Sequence, residues 1–239
     1  MLTITDIGTE AMGDAITISY DSGTNQYVIV DPNVVLSTTG LVNGQVLRPD
    51  SHTVRVDASL VTSLVVNTTN AVPGAGAGSD VVTLSSLPAS LAGSVTVTAE
   101  TIHLDTNVTT GSSQTYQGNL VLGGPITLQA TAVTDGAVDL GTNTLTLNVS
   151  TGTSSINGPV GGVGGLTKEG AGRLDLAGST GNTYSGLTTV AAGQLNLNSG
   201  GNAVSGNLAI TTGGKVTFSR SHQIIDTASV TMSGASSVF

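Results

Sequence analysis

Cysteine is absent from the chain, which excludes disulfides and thiolate metal sites and removes the usual marker of an oxidising compartment. Tryptophan is absent too, and aromatics make up only 3% of 239 residues, so the broad stacking platforms that hold sugars or bases have little to be built from. Charge is scarce at 9%, against roughly a quarter in ordinary soluble domains. What charge there is has one dominant sign: Lys168, Lys215, Arg48, Arg55, Arg173 and Arg220 stand against fifteen carboxylates, for a formal net charge of −9. A phosphate backbone would be repelled, so nucleic acid is excluded as a partner. No basic amphipathic stretch suits an anionic membrane surface, and no apolar run approaches the 18 or so residues needed to span one. Membrane insertion of this segment is not expected.

What fills the sequence instead is Val, Leu, Ile and Ala, spaced by Thr, Ser, Asn and 33 glycines, with a mean hydropathy of +0.26. That mixture suits thin strands joined by tight turns, and it is too apolar for a disordered chain.

A repeat is visible in the C-terminal half. Gly172-Arg173-Leu174-Asp175-Leu176 returns as Gly193-Gln194-Leu195-Asn196-Leu197 and again as Gly214-Lys215-Val216-Thr217-Phe218, a spacing of 21 residues, with Phe239 one further period on. Each copy alternates apolar and polar, which puts its two large side chains on one face of a strand. A second apolar group travels with the first at Leu187–Val190, Leu208–Ile210 and Val230–Met232. A unit this short cannot bury its inward face alone; stacked copies can, each strand pairing with its equivalent in the next coil about 4.8 Å away. The expected fold is therefore all-β, a parallel β-helix (β-solenoid). If all 239 residues coiled at this period there would be about 11 turns in a rod of roughly 50 Å.

Residues 1–78 lack the register and read as a β-rich N-terminal cap or small β module. A hairpin is expected from Ile16–Tyr20 and Tyr27–Val30 across a Gly-containing loop, with further strands at Thr53–Val56, Leu64–Val66 and Val81–Leu84. The boundary is placed in the flexible run Ala71–Gly78, and the helix proper over 79–239, clearest at 162–239.

From Gly162 the chain reads Gly-Val-Gly-Gly-Leu-Thr-Lys-Glu-Gly-Ala-Gly-Arg-Leu-Asp-Leu-Ala-Gly, followed by Asn182-Thr183-Tyr184-Ser185-Gly186, Thr189-Val190 and Gly193-Gln194-Leu195. This resembles the passenger-associated repeat of bacterial autotransporters and related giant surface proteins. A weaker echo reads Gln114-Thr115-Tyr116-Gln117-Gly118, and Gly136–Leu147 is similar to the haemagglutinin-like β-helices that often precede such repeats. The resemblance implies a right-handed parallel β-helix on an exported protein, with adhesion or surface display as its role and no catalytic residues in the motif. The opening residues carry no positive n-region or apolar h-region, so an export signal is expected upstream in a longer parent, and localisation at the cell surface or outside the cell.

Candidate chemistry is sparse. Gly76-Ala77-Gly78-Ser79-Asp80-Val81-Val82 matches most of one calcium-binding nonapeptide repeat, but tandem copies are needed to complete the shell, and Asp80 also reads as a turn residue. His52, His103 and His222 have no partner at metal-ligand spacing. Parallel β-helices include polysaccharide lyases and glycosidases, for which Asp135 with Asp139, or Glu169 with Asp175, are the carboxylate pairs to consider. Thr3-Thr5, Thr96-Thr98 and Thr144-Thr146 resemble fragments of an ice-binding threonine array, but their spacing is irregular and predicts no ladder. Gly158–Gly165 lacks the Lys-Ser/Thr of a phosphate loop and reads as a turn.

The expectation from sequence is a non-catalytic structural or adhesive segment of a secreted bacterial surface protein, without cofactor, metal or catalytic residues. Its expected partners are other copies of the parent chain, surface components, or host or matrix glycans and proteins. A self-assembling filament or surface-layer subunit is the first alternative, and a polysaccharide lyase or glycosidase the second.

Overall fold

The computed structural model describes residues 1–5, 13–37, 46–68, 79–211, 213–234 and 238–239. Seven strands come first: β1 Leu2–Thr5, β2 Ala15–Asp21, β3 Gln26–Val30, β4 Val46–Leu47, β5 Thr53–Asp57, β6 Leu64–Asn67 and β7 Val81–Leu84. One turn of 3₁₀ helix, Ala58–Leu60, is the only helical element among the described residues. The coils follow with β8 Val95–Leu104, β9 Val108–Thr109, β10 Gln114–Leu122, β11 Ile126–Ala130, β12 Val133–Asp139, β13 Leu145–Val149, β14 Thr153–Ile156 and β15 Val160–Gly161. They continue with β16 Leu166–Glu169, β17 Arg173–Leu176, β18 Thr188–Val190, β19 Gly193–Leu197, β20 Leu208–Ile210, β21 Gly214–Phe218 and β22 Val230–Met232.

Two parallel stacks run the length of the coils. One has the order β8-β10-β12-β14-β17-β19-β21, the other β9-β11-β13-β16-β18-β20-β22. The chain therefore completes seven circuits, alternating between the stacks, and the protein is a parallel β-solenoid. Seven is fewer than eleven because the N-terminal third spends its residues differently. β2, β3, β5 and β4 run antiparallel to one another, with Ile18 opposite Ile29 and Tyr27 opposite Val56, and the hairpin expected at Ile16–Val30 is β2–β3.

This antiparallel part is joined to the coils by continuous pairing. β8 is long enough to receive two strands: β6 lies against Val95–Thr98 and β7 against Thr101–Leu104. β1 then pairs with β6, and β2 with β7. The run Ala71–Gly78, where the sequence suggests a boundary, lies outside the described residues.

The coil step is elastic. It is 19 residues from Val95 to Gln114, 21 from Leu174 to Leu195, and 22 from Leu166 to Thr188. Turns absorb the difference, so inward positions stay aligned. One inward column in the first stack runs Ile4, Val66, Val97, Tyr116, Asp135, Ile156, Leu176, Leu197 and Phe218. Beside it, Ser154, Leu174, Leu195 and Val216 stack in turn. Leu174, Leu195 and Leu197 are closed to water, and the apolar length of these columns, beyond the buried Asp135 and Ser154, stabilises the stack. At the last coil Phe218 becomes 45% exposed, and Phe239 packs edge-on against it with ring centroids 5.2 Å apart. The bridge here joins Lys215 to Val238, a step of 23 rather than 21.

Candidate functional site

The motif residues between Gly162 and Leu197 hold coil to coil. Asn182 is buried and spans three levels: its Oδ1 accepts from the Val160 amide of the coil before (2.9 Å), and its Nδ2 donates to the Ala203 carbonyl of the coil after (2.7 Å). A side chain that both accepts and donates in the amide plane suits this position, between a backbone amide of one coil and a backbone carbonyl two coils on. Tyr184 fills the interior next to it, its hydroxyl 2.6 Å from Thr188 Oγ1, and burial pushes its phenol up to about 12.

Lys168 is inward and almost wholly covered, in register between Leu147 and Val190. Its ammonium turns back to the corner and donates to the carbonyls of Glu169, Gly170 (2.8 Å) and Ala192 (3.4 Å). Desolvation lowers it to about 8, opposed by the Glu169 charge. The glycines of the motif stand where turns touch. A Cβ on Gly164 would lie 1.8 Å from the Asn143 carbonyl oxygen, and one on Gly186 would lie 2.1 Å from that of Gly164. The sequence run Gly158–Gly165, expected to be a turn, contains the short strand β15, paired with β12, and its flanking residues pack turn on turn.

The echo at Gln114–Gly118 has a different place. Gln114 and Tyr116 lie on the first stack, paired with Val95 and Val97, whereas Asn182 and Tyr184 lie on the short connecting side before β18. Gln114 is a buried corner tie of its own, its Nε2 donating to the carbonyls of Val108 and Gln129, both at 2.9 Å, and its Oε1 accepting from Tyr116.

The carboxylate pairs weighed for catalysis are not brought together. Asp135 points inward and is 1% exposed, while Asp139, beyond an irregularity in the β10–β12 register, is exposed. Glu169 is on β16 of one stack and Asp175 on β17 of the other, where Asp175 is held by a two-pronged contact from Arg173. Asp80 stacks in line with Asp14 and Glu100: its Oδ1 accepts from the Asp14 amide (3.0 Å), and Glu100 Oε2 accepts from the Asp80 amide (2.9 Å). The carboxylates serve as rungs at a corner, and the glycines of the calcium-like run lie outside the described residues.

His52 contacts the carbonyl oxygens of Asp31 and Val34 through Nδ1, His103 sits on β8, and His222 occupies an exposed turn with φ 53°. Among the described residues no group of three or more His, Asp or Glu is arranged to hold a metal ion.

On the outer face of the second stack a threonine column forms that takes in only Thr146 of the threonines singled out in the sequence. Thr127, Thr146, Thr167 and Thr189 are in register, followed by Ala209 and Thr231. It is single file; two residues on, the column reads Gln129, Asn148, Glu169. The stacks thus present two long ribbed faces of outward polar side chains.

An inward apolar column, turn-to-turn glycines and buried amide ties define a scaffold-type β-solenoid, a protein whose interior is devoted to stacking. Residues 166–197 match the family model described as the passenger-associated-transport-repeat. The chain is also similar to the adhesin BmaC autotransporter of Brucella suis biovar 1 (strain 1330), 44% identical over 89 residues that cover 34% of this chain and 2% of that protein. The chain thus spans a small fraction of its relative's length. No solved structure matches it. The repeat and the relative fit a structural passenger segment of a secreted cell-surface protein.

Proposed function

We propose that the chain is a non-catalytic stalk segment of a secreted bacterial surface protein, whose stacked coils hold adhesive contacts away from the cell. The observation that carries this reading is the in-register column through Leu174, Leu195 and Val216 inside and beside a passenger repeat. A stack of this kind is stiff along its axis, because each coil is fixed to its neighbours by parallel hydrogen bonding and by a shared interior. The outer faces, lined by Thr146, Thr167 and Thr189 and their neighbours, and the turns at the corners supply the contact area. The name of the Brucella relative supports an adhesive role, and the partner class proposed with it is host or matrix glycans or proteins.

The test is a solid-phase capture assay of the purified chain against immobilised glycans and matrix proteins, with small-angle scattering to measure its shape and a glycan-degradation screen alongside. An elongated particle that is captured by one of these surfaces, and degrades none, supports the proposal. A compact particle, or cleavage of a polysaccharide, overturns it.

A further inference from the structure

We propose that Asp135 makes the coil stack sensitive to pH, so that folding takes up one proton at this carboxyl and the stack is strongest in mildly acidic solution. The inference concerns the interior of the solenoid and stands apart from what its outer faces bind.

Asp135 is the one ionisable carboxyl in the inward column of the first stack, set between Tyr116 on one side and Ile156 on the other. It is 1% exposed, and neither of its carboxylate oxygens has a hydrogen-bond partner among the described residues. A carboxylate in that position has given up its hydration and received nothing in return, a cost that the neutral acid largely avoids.

Among the described residues no cation compensates it: the inward Lys168 is on β16 in the other stack, its ammonium held by the carbonyls of Glu169, Gly170 and Ala192. On β10 the only titratable group is Tyr116, whose hydroxyl donates to Gln114 Oε1 at 3.2 Å. β14 and β15 carry none. On β12 itself the other acid is Asp139, exposed on the outer side of the register irregularity. The strands that complete the same circuits, β11 and β13, carry no titratable residue. Burial accordingly pushes the Asp135 carboxyl up to about 7, and its charge adds to the burial that raises the Tyr116 phenol.

The direction of the effect follows from linkage. In the unfolded chain the carboxyl releases its proton near pH 4. Between there and about 7 the folded chain still holds a proton that the unfolded chain has lost, so stability falls as pH rises through this window. Above it both states are ionised, and the full burial cost remains.

The test is chemical denaturation of the whole chain from pH 4.5 to 8.5, for the unsubstituted protein, Asp135→Asn, Asp135→Val and Asp139→Asn. The unsubstituted protein and Asp139→Asn are expected to lose about tenfold in folding equilibrium constant per pH unit in the middle of the window, relative to either Asp135 variant. Asp135→Val is expected to be the most stable of the four at pH 8. Equal pH dependence with and without Asp135 overturns the proposal. Should neither Asp135 variant fold, carbon-detected NMR titration of the unsubstituted protein decides: a carboxyl midpoint near 7 for Asp135 supports it, and one near 4 overturns it.

Discussion

Leu174 and Leu195 lie directly opposite each other across one coil step, and neither has any surface left to water. Each is the other's floor or ceiling, so a cavity at one is felt in two coils. Leu195→Ala is expected to cost about 2–5 kcal/mol. In a stacked architecture the loss should appear as early unfolding of the last coils, because stability is a sum of nearest-neighbour terms. Hydrogen exchange of the amides in β19 and β21, compared with those in β8 and β10, checks it. Uniform loss of protection across all coils would contradict nearest-neighbour stacking.

Asn182 supplies a second, chemically different tie. Asn182→Ala leaves the Val160 amide buried without its partner, at a cost of about 1–3 kcal/mol, and leaves the Ala203 carbonyl with only the long contact from the Tyr184 hydroxyl. Asn182→Asp keeps the acceptor but sets a buried carboxylate oxygen against the Ala203 carbonyl oxygen, so at neutral pH it should be at least as destabilising as the alanine variant. Urea denaturation midpoints of the three proteins measure the order.

Two glycines make a matched pair for testing the turns. Gly164→Ala drives a methyl into the Asn143 carbonyl, and the chain must move to admit it. Gly124→Ala meets nothing within 4 Å and has an ordinary φ. The first substitution is expected to lower the thermal midpoint by several degrees and the second to leave it unchanged, as read by far-ultraviolet circular dichroism. Equal effects would mean that turn packing contributes little.

The legible part of the fold was the stretch where inward residues are both large and apolar. From Leu174 to Phe218 the 21-residue period is written in side chains that repeat their character as well as their spacing. Toward the N-terminal side the same inward positions are held by Gln114 and Ser154, and the step shortens to 19 at Val95–Gln114, so a search for repeated apolar letters loses the thread although the backbone continues. The same elasticity hid the threonine column. Thr127, Thr146, Thr167 and Thr189 are separated by 19, 21 and 22 residues, and only pairing reveals that they align.

Lys168 and Asp135 were hidden for another reason. By type both belong on a surface, and Lys168 alternates with Leu166 as readily as any exposed residue would. Its inward place follows from the run of carbonyls around the Gly170 corner, which attracts an ammonium only once the coil has formed. Asp135 is turned inward by the register of β12 against β10, before the irregularity at Gly136–Ala137 that sends Asp139 outward. A four-residue spacing that places two carboxylates on one side of a regular strand here separates them.

The antiparallel turn from β2 into β3 closes one edge of the sheet to parallel pairing. The edge of β2 turned away from β7 is occupied by a strand running the opposite way, so a parallel newcomer finds no vacant row of amides and carbonyls there. Growth by adding circuits in that direction is blocked along this part of the sheet, whereas β21 and β22 repeat the parallel geometry of every circuit before them. Pairing of a parallel strand from a second copy onto this edge of β2 is thereby disfavoured.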